Sequence, residues 1–214
     1  MNFLDFIFPE KCLYCKRYGK YICDKCYKKI DKRYFFKLIK NDYYDYMICS
    51  SSYKDDIKLK MHNFKFHEQA YLYNFFIEFS LKNKSIYNFL KNFDLITYIP
   101  MNYNKKIKRG YNQSELLSHK LGELLNIKVL NCLEKKCENL VQSALSEKER
   151  ANNVKDIFSF KKNINIINKN IILVDDILTT GMTVKYASKV LKDQKCNKIC
   201  VFTIAKTVRY YQDK

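Results

Sequence analysis

Two groups of residues in this 214-residue chain have the types and spacing that do chemistry. The first is the pair Asp175-Asp176, followed after two aliphatic residues by Thr179-Thr180-Gly181-Met182-Thr183. Adjacent carboxylates can accept the hydroxyls of a diol or hold a cation. A hydroxyl-rich turn with one glycine, opening onto a helix, points backbone N–H groups outward and suits phosphate. A sugar phosphate satisfies both halves. The lysine of the common phosphate loop GxxxxGK[ST] is missing, and so is the GxGxxG spacing of dinucleotide folds. The second group is Cys12-Leu13-Tyr14-Cys15, seven residues, then Cys23-Asp24-Lys25-Cys26. Each CxxC can turn two thiolates toward one metal, and four sulfurs close a tetrahedral site with no open position for water. Its role is structural, with zinc the expected ion and a mononuclear iron site the alternative. Disulfides are disfavoured because nothing marks the chain as secreted.

Each group needs elements to hold it. Ile171 to Val174 is an unbroken aliphatic run, the pattern of a parallel strand covered on both faces, and it delivers the acids at its carboxyl end. From Thr183 the spacing of Val184, Ala187, Val190 and Leu191 predicts a helix to Gln194, followed by a buried strand over Lys198 to Ala205. Upstream, Phe93 to Ile99 reads as a second buried strand ending at Pro100. It feeds a polar loop, Met101 to Gln113, with Lys105, Lys106, Lys108, Arg109 and Gly110, and then a leucine-rich helix. That loop is a second anion site in the making. Asp45 to Tyr53 reads as a first strand, Asp56 to Phe66 alternates apolar and basic residues, and Glu68 to Lys82 has helical spacing. Asp156 to Phe160 reads as a short strand. Strand and helix alternate from Phe93 to Ala205, which predicts an α/β fold with a mainly parallel sheet flanked by helices. The expected division is a cysteine module over residues 1–40 and an α/β domain over residues 41–214.

The formal charge is +18 and 47% of residues are hydrophobic, so the chain is globular and strongly basic. Thirty-five lysines against five arginines, with many Asn, Ile and Tyr, fit an A+T-rich codon bias as well as they fit a nucleic-acid surface. Against that bias the rare residues carry information: two of only four glycines, Gly110 and Gly181, fall in the candidate ligand loops. Arg109 and Arg150 flank the same region, and the guanidinium fork suits phosphate oxygens. His62 and His67 lack metal-ligand spacing. No apolar run reaches membrane-spanning length, and the first nine residues lack a basic stretch and carry Asp5 among their apolar residues. A cytoplasmic protein with no membrane span is expected.

The stretch Ile171 to Thr183 closely resembles the 5-phosphoribosyl-1-pyrophosphate (PRPP) motif of type I phosphoribosyltransferases. The whole chain resembles the ComF family of competence proteins, which couple a cysteine finger to a phosphoribosyltransferase-like domain. The resemblance rests on the finger, Tyr53 with Phe64-Lys65-Phe66, Ile99-Pro100, Arg109-Gly110-Tyr111-Asn112-Gln113, Gln142 with Arg150 and Asn153-Val154, and the Asp175 to Thr183 motif. It implies that Asp175 and Asp176 hold the ribose hydroxyls while Thr179 to Thr183 wrap the 5′-phosphate. Lys105, Lys106, Arg109 and Gly110 would face pyrophosphate, Mg²⁺ would accompany PRPP, and Gln142 and Arg150 would belong to a lid. The segment Leu133-Glu134-Lys135-Lys136 departs from the family, whose members usually carry an arginine there; lysine keeps the charge but loses the fork, and these positions are left out of the expected site. The family is associated with DNA uptake, beside a helicase-like partner. Two function classes follow: a phosphoribosyltransferase with a nitrogen acceptor, or a binding protein that senses PRPP or a nucleotide, or engages single-stranded DNA and a competence helicase.

Overall fold

The computed structural model describes residues 10–30, 35–38, 42–66, 69–135 and 157–207. In chain order the elements are α1 (Asp24–Lys29), β1 (Phe35–Leu38), β2 (Tyr46–Ser52), α2 (Asp55–Phe66), α3 (Leu72–Leu81), α4 (Lys84–Leu90) and β3 (Leu95–Tyr98). They continue as α5 (Tyr103–Arg109), α6 (Gln113–Leu125), β4 (Leu133–Lys135), β5 (Phe158–Phe160), β6 (Ile171–Leu178), α7 (Met182–Lys192) and β7 (Ile199–Lys206). Five strands form one sheet in the order β1-β2-β7-β6-β3. β2, β7, β6 and β3 are mutually parallel, and β1 joins antiparallel at the edge. β1 falls within the 1–40 range of the expected cysteine module, yet it pairs into this sheet.

Strand side chains alternate between faces, and here both faces are apolar. Ile172 and Val174 of β6, with Cys200 and Phe202 of β7, join a core under α2, α3 and α6. Ile171 and Leu173, with Ile199 and Val201, join a second core with Val184, Ala187 and Leu191 of α7. This double burial is why the aliphatic runs are continuous. β6 runs past the acids to Leu178, because Ile177 and Leu178 still pair with Ala205 and Lys206 of β7. Helix α6 packs Leu117, Leu121 and Leu125 inward, one turn apart each. Its Gly122 lets the 127–129 turn approach: a Cβ there would lie 2.6 Å from Val129 Cγ2 and 2.7 Å from the Ile127 carbonyl oxygen. The outer side of β3 is taken by that same turn, with Ile96 N–H donating to Lys128 O at 2.9 Å and Leu130 N–H to Ile96 O at 2.9 Å.

The expected loop Met101 to Gln113 contains α5. Asn102 caps its start by accepting from Asn104 N–H at 2.9 Å, and Gly110, at φ 78°, ends it. No residue of α5 is buried, so it leaves no apolar period to read. β4 and β5 form a separate antiparallel pair, with Lys135 opposite Phe158. The cysteine segment packs on α3: Ile22 is buried in the α3 core, and the rings of Tyr14 and Tyr27 lie 6.0 and 5.7 Å from those of Phe75 and Phe79. Among the described residues, no helix is long and apolar enough to cross a membrane.

Candidate functional site

The carboxyl ends of β3, β6 and β7 open onto a cavity of about 440 Å³. Ligands bind at this end of open parallel sheets. One wall is acidic. Asp175 Oδ1 accepts from Ser114 Oγ at 3.1 Å and from Asp176 N–H at 2.9 Å. Burial, and then the Asp176 charge beside it, push the Asp175 carboxyl up to about 7. Asp176 Oδ2 is paired with Lys65 Nζ at 2.7 Å.

The opposite wall is basic. Lys105 and Arg109 of α5 line the cavity, with Lys135 at the end of β4. The Arg109 guanidinium lies 4.8 Å over the Phe66 ring and reaches Gln113 Oε1 at 3.4 Å. Asn112 donates to Ile99 O at 3.0 Å and caps α6 through Ser114 N–H, which ties the basic segment to the end of β3. Thr179 and Thr183 line the cavity beyond the acids. Between them Gly181 adopts φ 80° as the N-cap of α7, and Met182 N–H reaches Thr180 Oγ1 at 3.4 Å. Such a turn needs glycine, since other side chains are strained at that φ.

Most of the expected residues are thus brought together. Asp175, Asp176, Thr179, Thr183, Lys105 and Arg109 share one cavity, while Thr180, Gly181, Met182 and Gly110 shape its turns without lining it. Lys106 instead pairs with Glu115 Oε2 at 3.0 Å, and Glu115 also accepts from the Tyr98 hydroxyl. Gln142 and Arg150 lie outside the described residues. Lys65, Ser114 and Lys135 are among the lining residues outside the expected set. Lys65 sits in the Phe64-Lys65-Phe66 segment that only the family resemblance singled out. Ser114 directly follows the Asn112-Gln113 pair. Lys135 lacks the arginine fork, but a point charge at the cavity rim needs none. A smaller cavity of about 270 Å³ lies between the cysteine segment and the start of α2. Its Asp56 carboxylate is taken by Tyr14 and Lys60, whereas the cavity at the strand ends gathers Lys65, Lys105, Arg109 and Lys135.

The sulfurs of Cys12, Cys15, Cys23 and Cys26 all lie within 4.8 Å of one another, with Cys15 and Cys23 at 3.6 Å. A tetrahedral zinc with Zn–S bonds of about 2.3 Å needs sulfurs about 3.8 Å apart, so the cluster fits that ion with small adjustments, the Cys15–Cys23 pair opening slightly. Burial works against the Cys12 thiolate, but N–H groups of Cys15, Cys23 and Tyr14 hold it down at about 6. The Cys26 N–H likewise lowers Cys23. Backbone N–H groups aimed at the first sulfur of each CxxC favour the charged form that a metal requires. The eight described cysteines are free thiols.

A family model described as a phosphoribosyl transferase domain matches residues 112–214. Competence protein F of Haemophilus influenzae is 27% identical over 233 aligned residues, which cover 96% of this chain and 99% of that protein. Competence protein ComFC of Bacillus subtilis is 30% identical over 166 residues, covering 73% of this chain and 62% of its own length. DNA utilization protein YhgH of Escherichia coli is 26% identical over 116 residues, 54% of this chain and 50% of that protein.

Proposed function

We propose that this chain is a ComF-family protein of the phosphoribosyltransferase fold that binds PRPP and acts in DNA uptake. What carries the reading is one cavity that sets an acid pair beside a threonine-glycine turn and faces both with cations. Asp175 and Asp176 accept the ribose hydroxyls. The Thr179–Thr183 turn donates to the 5′-phosphate at the start of α7. Lys105, Arg109 and Lys135 hold pyrophosphate. Mg²⁺ bound together with PRPP would supply charge to the leaving group. The acids stabilise positive charge that develops on the ribose ring as the bond to pyrophosphate stretches, and an acceptor nitrogen attacks the glycosidic carbon. The four cysteines hold a structural zinc.

A second reading is a binding protein that holds PRPP without turnover while its basic surface engages single-stranded DNA or a competence helicase. Helix α5 favours it: Tyr103 is 74% exposed and Ile107 65% exposed among lysines, an aromatic and basic surface of the kind that bases stack on. Calorimetric titration with PRPP and Mg²⁺ tests the first step, with Asp175→Asn plus Asp176→Asn as control. Absence of wild-type binding would refute both PRPP readings. Pyrophosphate release with a base or amine from a panel selects the enzyme, and binding without release selects the sensor. Single-strand affinity that falls steeply with salt supports the nucleic-acid role.

A further inference from the structure

Helix α2 touches both chemical centres of this protein. It has 12 residues and spans about 18 Å. Its first turn is fastened to the cysteine segment. The phenol of Tyr14, which sits between Cys12 and Cys15, donates to the Asp56 carboxylate. Lys60 closes on the same carboxylate and lies 4.5 Å over the Tyr14 ring.

The last turn of α2 is fastened to the cavity by three consecutive residues. The Phe64 carbonyl accepts from the Tyr111 hydroxyl at 2.6 Å and from Gln113 Nε2 at 3.4 Å. Lys65 pairs with Asp176, and the Phe66 ring carries the Arg109 guanidinium. Acid and basic walls therefore hang from one turn of one helix. Phe64 is fully buried, its ring 5.7 Å from those of Phe76 and Tyr111, so that turn cannot slide without repacking the core. The Lys65 and Asp176 side chains are only 18% and 14% exposed, and a pair so poorly hydrated is sensitive to alignment.

Resting on the ribose-phosphate reading, we propose that the metal-bound cysteine knuckle sets the affinity of the acid pair for its ligand through α2, with Lys65 as the positioning residue. A metal fixes the turn that carries Tyr14. Tyr14 fixes the first turn of α2, and the helix carries that constraint to Lys65. Lys65 on Asp176 offsets one of two adjacent negative charges, which lets both carboxylates face a diol at once. Losing the knuckle geometry shifts α2 toward arrangements in which this alignment is absent, and the ligand discriminates between them.

The test uses the full-length, zinc-loaded chain. Tyr14→Phe removes one hydroxyl while retaining the ring and all four sulfurs. Its zinc content should equal wild type, and amide exchange over Lys60–Phe66, measured without ligand, should speed up at least about five-fold. Affinity for PRPP with Mg²⁺ should fall by a similar factor. Lys65→Met should lose as much, Lys65→Arg should recover part of it, and Tyr14→Phe should add nothing once Lys65 is gone. PRPP bound equally by wild type and Tyr14→Phe, or losses that multiply in the double variant, overturn the linkage alone. A chain whose α2 exchange responds to Tyr14→Phe, but which binds PRPP in no form, overturns the ribose-phosphate reading and the affinity claim with it.

Discussion

Replacing Asp175 by asparagine should stabilise the ligand-free protein, and more so as pH rises. Burial and the adjacent Asp176 charge push the Asp175 carboxyl up to about 7, against an ordinary value of 3.8. A carboxyl whose folded pKa is raised binds its proton more tightly in the folded state. The stability this brings is fully present below about pH 4 and is lost as pH rises through about 7. At roughly 1.4 kcal/mol per pH unit, the loss between pH 5 and pH 8 is about 2–3 kcal/mol. Asparagine has nearly the same shape, can still accept from Ser114 Oγ, and carries no charge to desolvate. Titrations elsewhere, the cysteine cluster included, are common to both proteins and cancel in the difference. The melting temperature of Asp175→Asn minus that of wild type should therefore widen by about 5–10 °C from pH 5 to pH 8, taking 2–4 °C per kcal/mol for a domain of this size. Scanning calorimetry in matched buffers without ligand reads this directly. A gap that stays constant across the range would mean that Asp175 is ionised throughout, and the electrostatic account of the acid pair would be wrong.

Two further substitutions probe the frame around the site. Gly122→Ala places a Cβ against Val129 Cγ2 and the Ile127 carbonyl, and Ile127 N–H is itself bound to Gly122 O at 3.0 Å, so the turn has nowhere to retreat. It should cost about 1–3 kcal/mol, read as a melting temperature several degrees lower; one within a degree of wild type would refute the close approach. Cys15→Ser removes one of four clustered sulfurs. Bound zinc after dialysis should fall well below one per chain, with a lowered melting temperature, whereas unchanged metal content would sink the four-sulfur site.

The parts of this molecule legible in its sequence are those governed by local rules. β3, β6 and β7 announce themselves because a sheet buried on both faces leaves runs that are apolar or nearly so, unbroken and aliphatic over Ile171–Val174. The turn at Gly181 is legible because its backbone needs glycine. Helix α2 is harder. Ile57, Met61 and Phe64 are its buried positions at helical spacing, but interleaved lysines give the stretch an alternating look. Lys65 could not be placed from the sequence, since its partner Asp176 is brought beside it only by the packing of α2 on the sheet. Lys135 falls outside the expected site for a chemical reason: lysine lacks the fork of arginine, yet the rim of a cavity accepts a single charge. Lys106 shows the converse. Its place in the basic run suggested a ligand contact, and the structure gives it to Glu115, an acid one element away.

The turn that Gly122 admits also settles how this sheet ends. An edge strand with unpaired N–H and C=O groups is a template onto which another chain can pair. At β3 the Lys128–Leu130 backbone occupies that row through the amide and carbonyl of Ile96. The strand that delivers Pro100 to the cavity is therefore screened on its outer side from recruitment into an intermolecular sheet. One small residue in α6 thus lets the chain's own backbone cover the edge strand that leads into the cavity.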